Sequence, residues 1–278
     1  MSSSSFPRLS NDPVPLACDP QLARFRDALT ARSVRMEHTV QRLTGGATSL
    51  ADFASGHEFF GLHRTKDGGW IFREWAPNAT RITVRGDFTD WRELPEFVMK
   101  RKDGGCWELA LPAAALGHGD HYLLAMEWKG GRGDRVPAYA RRVEQDESTG
   151  LFSAVVHAPE TPYAFRHASP PAPAMPLVYE SHVGMAQEEP KVGTFSEFRE
   201  KVLPRIAATG YNTIQLMAIM GHPYYGSFGY HVANYFSVAG RFGSPEEFKE
   251  LVDAAHGLGL RVIIDLVHSH AVRNEVEG

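Results

Sequence analysis

The chain has 278 residues, 43% of them hydrophobic and 11% aromatic, and its 29 basic and 33 acidic side chains leave a formal charge of −4. A balance this near neutral excludes the strong positive field that gathers nucleic acid or an anionic membrane, and it suits a neutral polymer. The length can bury a sizeable core in two domains.

Cys18 and Cys106 lie far apart and outside any CxxC pattern, so neither a disulfide framework nor a zinc site is indicated and the compartment reads as reducing. Residues Met1 to Pro15 are rich in serine and proline with no apolar core of signal-peptide length, and no run of about 18 apolar residues occurs. The expectation is a cytoplasmic protein without a membrane span.

Residues 1–57 read as a tail followed by an amphipathic helix. Leu22, Phe25, Leu29, Met36, Val40 and Leu43 fall on one helical stripe, Asp19 can cap it, Pro20 suits its first turn and Gly45 ends it. The stripe lacks the basic face of a membrane-surface helix, which favours a docking role.

Over 58–156 the pattern changes to short β-branched and aromatic runs punctuated by turns. Strands are expected at Phe59–His63, Trp70–Trp75, Arg81–Gly86, Phe97–Lys100, Cys106–Leu111 and His121–Trp128, with turns at Asp67-Gly68-Gly69, Asp103-Gly104-Gly105 and Gly130-Gly131. The spacing predicts a small immunoglobulin-like β-sandwich. All five tryptophans (Trp70, Trp75, Trp91, Trp107 and Trp128) fall here. An indole can stack on a sugar ring, and it can equally fill the core.

Residues 157–176 carry six prolines, a composition that predicts an extended connector and a domain boundary. From 177 onward, strand-like runs alternate with helices. Leu177–Tyr179 opens a strand, and Thr194-x-x-Glu197 is a capping box before a helix with Phe198, Val202 and Ile206 inside. Pro204 should kink that helix or split it in two. Asn212–Met220 reads as a continuous strand. Ser244-x-x-Glu247 caps a second helix with Phe248, Leu251, Val252, Ala255 and Leu258 as its buried stripe, and Arg261–Val267 reads as a third strand covered on both faces.

The order βαβαβ predicts a parallel sheet. No GxGxxG turn follows the first strand, which argues against a dinucleotide fold. The strand ends gather Glu180 and His182, His222 with Tyr224 and Tyr225, and Asp265, His268 and His270, where a (β/α)8 barrel keeps its working residues. His268 and His270 could be read as a metal pair on one strand face, but no third ligand of clear identity accompanies them. His182 and His222 also fit simple strand-end packing.

Several long runs resemble the 1,4-α-glucan branching enzymes of glycoside hydrolase family 13. They are Gly210–Ile219, His222-Pro-Tyr-Tyr-Gly-Ser-Phe-Gly-Tyr-His-Val232, Arg241-Phe242-Gly243 and Asp265-Leu-Val-His-Ser-His-Ala271. Upstream, Arg73-Glu-Trp-Ala-Pro-Asn-Ala79 and Gly86-Asp-Phe-Thr-Asp-Trp91 resemble the family 48 carbohydrate-binding module that precedes the barrel in those enzymes. The similarity extends from Asp19 to Gly278, with one departure: the family commonly writes glutamate where this chain has Gly221.

The resemblance implies an N-terminal helix and sandwich followed by the first three βα units of an incomplete TIM barrel over 177–278. It implies a reaction in which an α-1,4-glucan is cut and the freed segment rejoined through an α-1,6 linkage, with no metal or organic cofactor. An α-glucan hydrolase or debranching enzyme on the same fold is the neighbouring alternative. In the family the nucleophilic aspartate and the acid glutamate follow the fourth and fifth barrel strands, so no catalytic residue is expected within this chain and the pair is expected beyond Gly278. The substrate-binding residues carried over are Tyr230, stacking on the sugar at the cleavage subsite, His270, holding one of its hydroxyls, and Asp265, supporting the site by hydrogen bonding. A second expectation is that the chain taken alone is catalytically silent and binds α-glucan through its β domain.

Overall fold

The computed structural model describes residues 19–272, so Cys18 and the serine-rich start lie outside the described residues. Residues up to Glu58 form one compact unit and those from Phe59 another. In the first, the Asp19 carboxylate accepts the backbone N–H of Gln21 (2.9 Å) and starts a 3-10 turn, Pro20–Phe25. This turn runs into α1 (Arg26–Thr44), which stops where Gly45 takes a left-handed φ of 61°.

The second unit begins with the sandwich. β1 (Gly61–Arg64), β2 (Trp70–Trp75), β4 (Lys100–Arg101) and β5 (Cys106–Leu111) form one antiparallel sheet in the order β1-β2-β5-β4. Facing it are β3 (Ala79–Gly86), β6 (His121–Trp128), β7 (Gly131–Arg135), β8 (Arg142–Gln145) and β9 (Phe152–Val155). Strict alternation points Trp70 and Phe72 of β2 and Trp107 and Leu109 of β5 inward, where they meet Ile82, Val84, Tyr122 and Leu124 from the other sheet. The expected strand at Phe97–Lys100 is mostly absent: Pro95 opens a 3-10 turn through Phe97, Val98 forms an isolated bridge to Thr83, and Lys100 pairs, with Arg101 beside it, in the short β4.

Three parallel strands follow: β10 (Val178–Ser181), β11 (Thr213–Leu216) and β14 (Arg261–Ile264), with β11 in the middle. The first crossover carries the Thr194 capping box. Its helix loosens into a π turn over Phe198–Val202 before continuing as α2 (Leu203–Ala208). Pro204 has no N–H to donate, and widening the preceding turn accommodates that loss without ending the helix.

The second crossover ends in α3 (Pro245–Gly257), capped by Ser244, whose Oγ accepts from Glu247 N at 3.2 Å. Leu251 and Ala255 are buried beneath it, but Leu258 stands at the C-cap and is 46% exposed, its expected place taken by the buried Leu260. The third strand is shorter than expected and is not covered on both faces, since Ile263, Ile264 and Leu266 are exposed.

Between β11 and α3 the chain makes an excursion that divides the expected Asn212–Met220 strand. β12 (Met220–Gly221) pairs antiparallel with β13 (Asn234–Ala239), and β13 pairs parallel with β8 of the sandwich. One seven-stranded sheet therefore runs β12-β13-β8-β9-β6-β3, with β7 on β6.

The proline-rich segment has no regular structure, as expected, but it is fastened down rather than free. Asp253 of α3, fully buried, accepts hydrogen bonds from Tyr163 Oη (2.8 Å), Arg166 Nε (3.0 Å) and the backbone N–H groups of Arg166 and His167.

Candidate functional site

The C-terminal ends of the three parallel strands carry the site. Asp265 directly follows β14, and its N–H donates to Leu216 O at 3.1 Å, fixing it beside the end of β11. Tyr230 reaches it from the excursion: the phenol donates to Asp265 Oδ2 at 2.8 Å. Burial, then the hydrogen bond to Asp265 and that group's charge, push the Tyr230 phenol up to about 12. A neutral tyrosine pinned by a carboxylate offers an aromatic face with a fixed orientation, which suits an uncharged, hydroxyl-rich ring.

The turn that delivers Tyr230 is conformationally costly. Phe228 has φ 55° and Gly229 φ 88°, and a bulky side chain in the left-handed region costs on the order of 1–3 kcal/mol. Gly229 is obligatory there, because a Cβ would stand 2.0 Å from Ala218 O.

His270 lies in the turn at 269–270 and is exposed; among the described residues it makes no hydrogen bond to Tyr230 or Asp265. The following Val272 N–H donates to Val232 O at 2.9 Å, which ties this turn to the excursion. His268 stacks on Tyr235 with ring planes 11° apart, and the Tyr235 hydroxyl donates to Val267 O at 3.2 Å.

Below this rim the other strand-end histidines are buried. His182 meets Phe242 edge-on at 5.6 Å and Phe228 at 6.1 Å. His222 lies 5.8 Å from Phe242, and its Nδ1 faces Met220 O at 2.9 Å. Burial is the main reason that both imidazoles are held below their ordinary range, which keeps them neutral. The role of Arg241 as a clamp was not legible in its motif: its guanidinium donates to the carbonyls of His222 and Pro223, both at 3.0 Å.

Gly221 lines the seam between β12 and β13. A Cβ there would stand 3.0 Å from both Asn234 Cβ and Ser237 Oγ. The glutamate of the family pattern would therefore need these neighbours to give way.

The tryptophans differ in burial, Trp128 being half-buried. Trp70 and Trp107 are buried, whereas Trp75 is 58% and Trp91 37% exposed. Each exposed indole is held by its N–H, Trp75 to Gly104 O and Trp91 to Asp87 Oδ1, both at 3.0 Å. Trp91 also has a left-handed φ of 58°. It borders a cleft of about 790 Å³ with His121, Asp134, Glu144 and Leu151.

Comparison with known proteins agrees with this architecture. Residues 59–140 match the model of carbohydrate-binding module 48 (isoamylase N-terminal domain), and residues 188–276 match that of the α-amylase catalytic domain. The chain is 40% identical over 266 residues to a 1,4-alpha-glucan-branching enzyme of Dictyostelium discoideum, covering 94% of this chain and 39% of that one. It is 42% identical over 268 residues to the enzyme of that name from Aspergillus oryzae, with the same two coverages. Among solved structures, the Group B Streptococcus pullulanase SAP superposes with a TM-score of 0.65 at 19% identity, over 76% of this chain and 34% of that one. The chain thus spans about 39% of the length of these curated relatives. With both modules matched in order and the likeness running along nearly all of its residues, the chain is similar to part of the 1,4-alpha-glucan-branching enzymes and carries a carbohydrate-binding module 48 followed by part of an α-amylase catalytic domain.

Proposed function

We propose that this chain supplies the glucan-gripping part of an α-glucan branching activity. In that reaction an α-1,4 linkage is cut through a covalent glycosyl intermediate and the segment is passed to a 6-hydroxyl. The observation that carries the reading is the Tyr230–Asp265 pair at 2.8 Å, seated at the strand ends of a chain 40% identical to a branching enzyme. Tyr230 stacks on the sugar at the cleavage point, Asp265 holds the phenol, and His270, on the neighbouring exposed turn, donates to a hydroxyl.

A retaining mechanism needs two carboxyl groups about 5 Å apart. The family resemblance assigns them to the fourth and fifth barrel strands, and the described residues form three strands of that sheet, β10, β11 and β14. The described residues therefore account for gripping α-glucan and not for cleaving it. Trp75 and Trp91, the exposed indoles of the sandwich, hold the polymer on the β domain.

Incubating the purified chain with amylose tests this. Retention in amylose affinity electrophoresis, weakened by Trp75→Ala and Trp91→Ala, with no new α-1,6 ends, is the expected result. New branches made by the chain alone would refute the assignment of the chemistry elsewhere, and loss of retention altogether would refute the glucan-binding role.

A further inference from the structure

The tripeptide Phe228-Gly229-Tyr230 straddles the end of the central strand. Gly229 is pressed against Ala218 O, just past β11. On one side Tyr230 bonds to Asp265 at the end of β14. On the other the Phe228 ring stands edge-on to His182 at the end of β10. The two aromatic side chains thus reach to opposite sides of the end of β11, Tyr230 toward β14 and Phe228 toward β10.

Phe228 packs only in part, edge-on against His182. It is 44% exposed, and its backbone lies in the left-handed region, where asparagine or glycine would sit without strain. A bulky aromatic kept in a costly conformation and turned to solvent at a binding rim has its use outside the core. We infer that Phe228 is a second sugar-contact residue, stacking on a glucose unit of an α-glucan whose neighbouring part lies on Tyr230. This inference rests on the reading of Tyr230 given above.

The test is binding of fluorescent maltoheptaose to the full chain carrying Trp75→Ala and Trp91→Ala, so that the sandwich contributes nothing. Phe228→Asn, which tolerates the left-handed backbone, is expected to leave the melting temperature unchanged or raised and to weaken binding about tenfold. Phe228→Leu keeps the bulk without the aromatic face and is expected to weaken binding similarly, whereas Phe228→Tyr is expected to retain it. Unchanged binding in the Asn and Leu variants, with loss in Tyr230→Ala, would overturn the role of Phe228 and leave that of Tyr230 standing. Unchanged binding in Tyr230→Ala as well would overturn both. Should the Asn variant fail to fold, the contrast between Leu and Tyr decides.

Discussion

Tyr230 and Asp265, 35 positions apart in sequence, are joined by a 2.8 Å hydrogen bond from phenol to carboxylate across the ends of the parallel strands. Asp265→Asn removes the charge but keeps an acceptor. The Tyr230 phenol, now pushed up to about 12, should fall toward the ordinary tyrosine value of about 10. It should stop short of that value, because burial is the larger cause of the shift. Ultraviolet difference titration against Tyr230→Phe measures it, and an unmoved phenol would show that the carboxylate does not set its state.

Gly229→Ala places a methyl group 2.0 Å from Ala218 O on a residue with φ 88°. Neither the contact nor the backbone angle can be relieved locally, so the variant should lose more than about 1 kcal/mol in urea unfolding. Glucan binding at Tyr230 should fall with it. Full stability with full binding would mean that the turn can be rebuilt cheaply.

Asp253 fastens the proline-rich segment to α3. Its hydrogen bonds to Arg166, Tyr163 and His167 outweigh desolvation and hold its carboxyl well below the usual range. A depressed folded value means that the stabilisation is present above the unfolded value of about 3.9 and is lost as pH falls below it. The melting temperature should therefore fall progressively as pH is lowered from about pH 5 through the depressed folded value, and Asp253→Asn should start lower and respond less over that range. Hydrogen exchange at residues 163–167 should rise in the variant; unaltered protection there would show that the segment is held by something else.

Phe242 is fully buried, touching Phe195 at 5.9 Å as well as His182 and His222. Phe242→Ala should cost about 3–5 kcal/mol. Because burial is the main depressor of both histidines, opening this space to water should raise their titration points toward the ordinary value of about 6.5. Histidine ring NMR reads that shift, and two unmoved histidines would count against hydration of the site.

Much of the fold was legible because local periodicity and burial agree. β2, β5 and β6 fall where alternation placed them, and both capping boxes open their helices. What escaped was set by distant partners. Arg142-Val143-Glu144-Gln145 is too short and charged to read as a strand, yet it pairs with β9 and β13. β13 was hidden in a run whose interest lay in its side chains. Asp253 interrupts no stripe arithmetic and looks like a surface acid; its burial depends on a segment about 90 residues earlier. The site was legible only in part: family resemblance pointed to Tyr230, Asp265 and His270, whereas the strain at Phe228 and the clamp at Arg241 depend on backbone geometry that no residue pattern announces.

The pairing of β13 with β8 has a practical consequence for anyone wishing to exchange modules between such proteins. Val238 and Ala239 lie in register with Arg142 and Val143, so a splice made at the prolines would leave each donor half with an unmatched ladder rung. A chimaera that transfers the sandwich will need residues 220–239 to travel with it, although they sit downstream of the splice. The unit of inheritance in three dimensions is thus discontinuous along the gene.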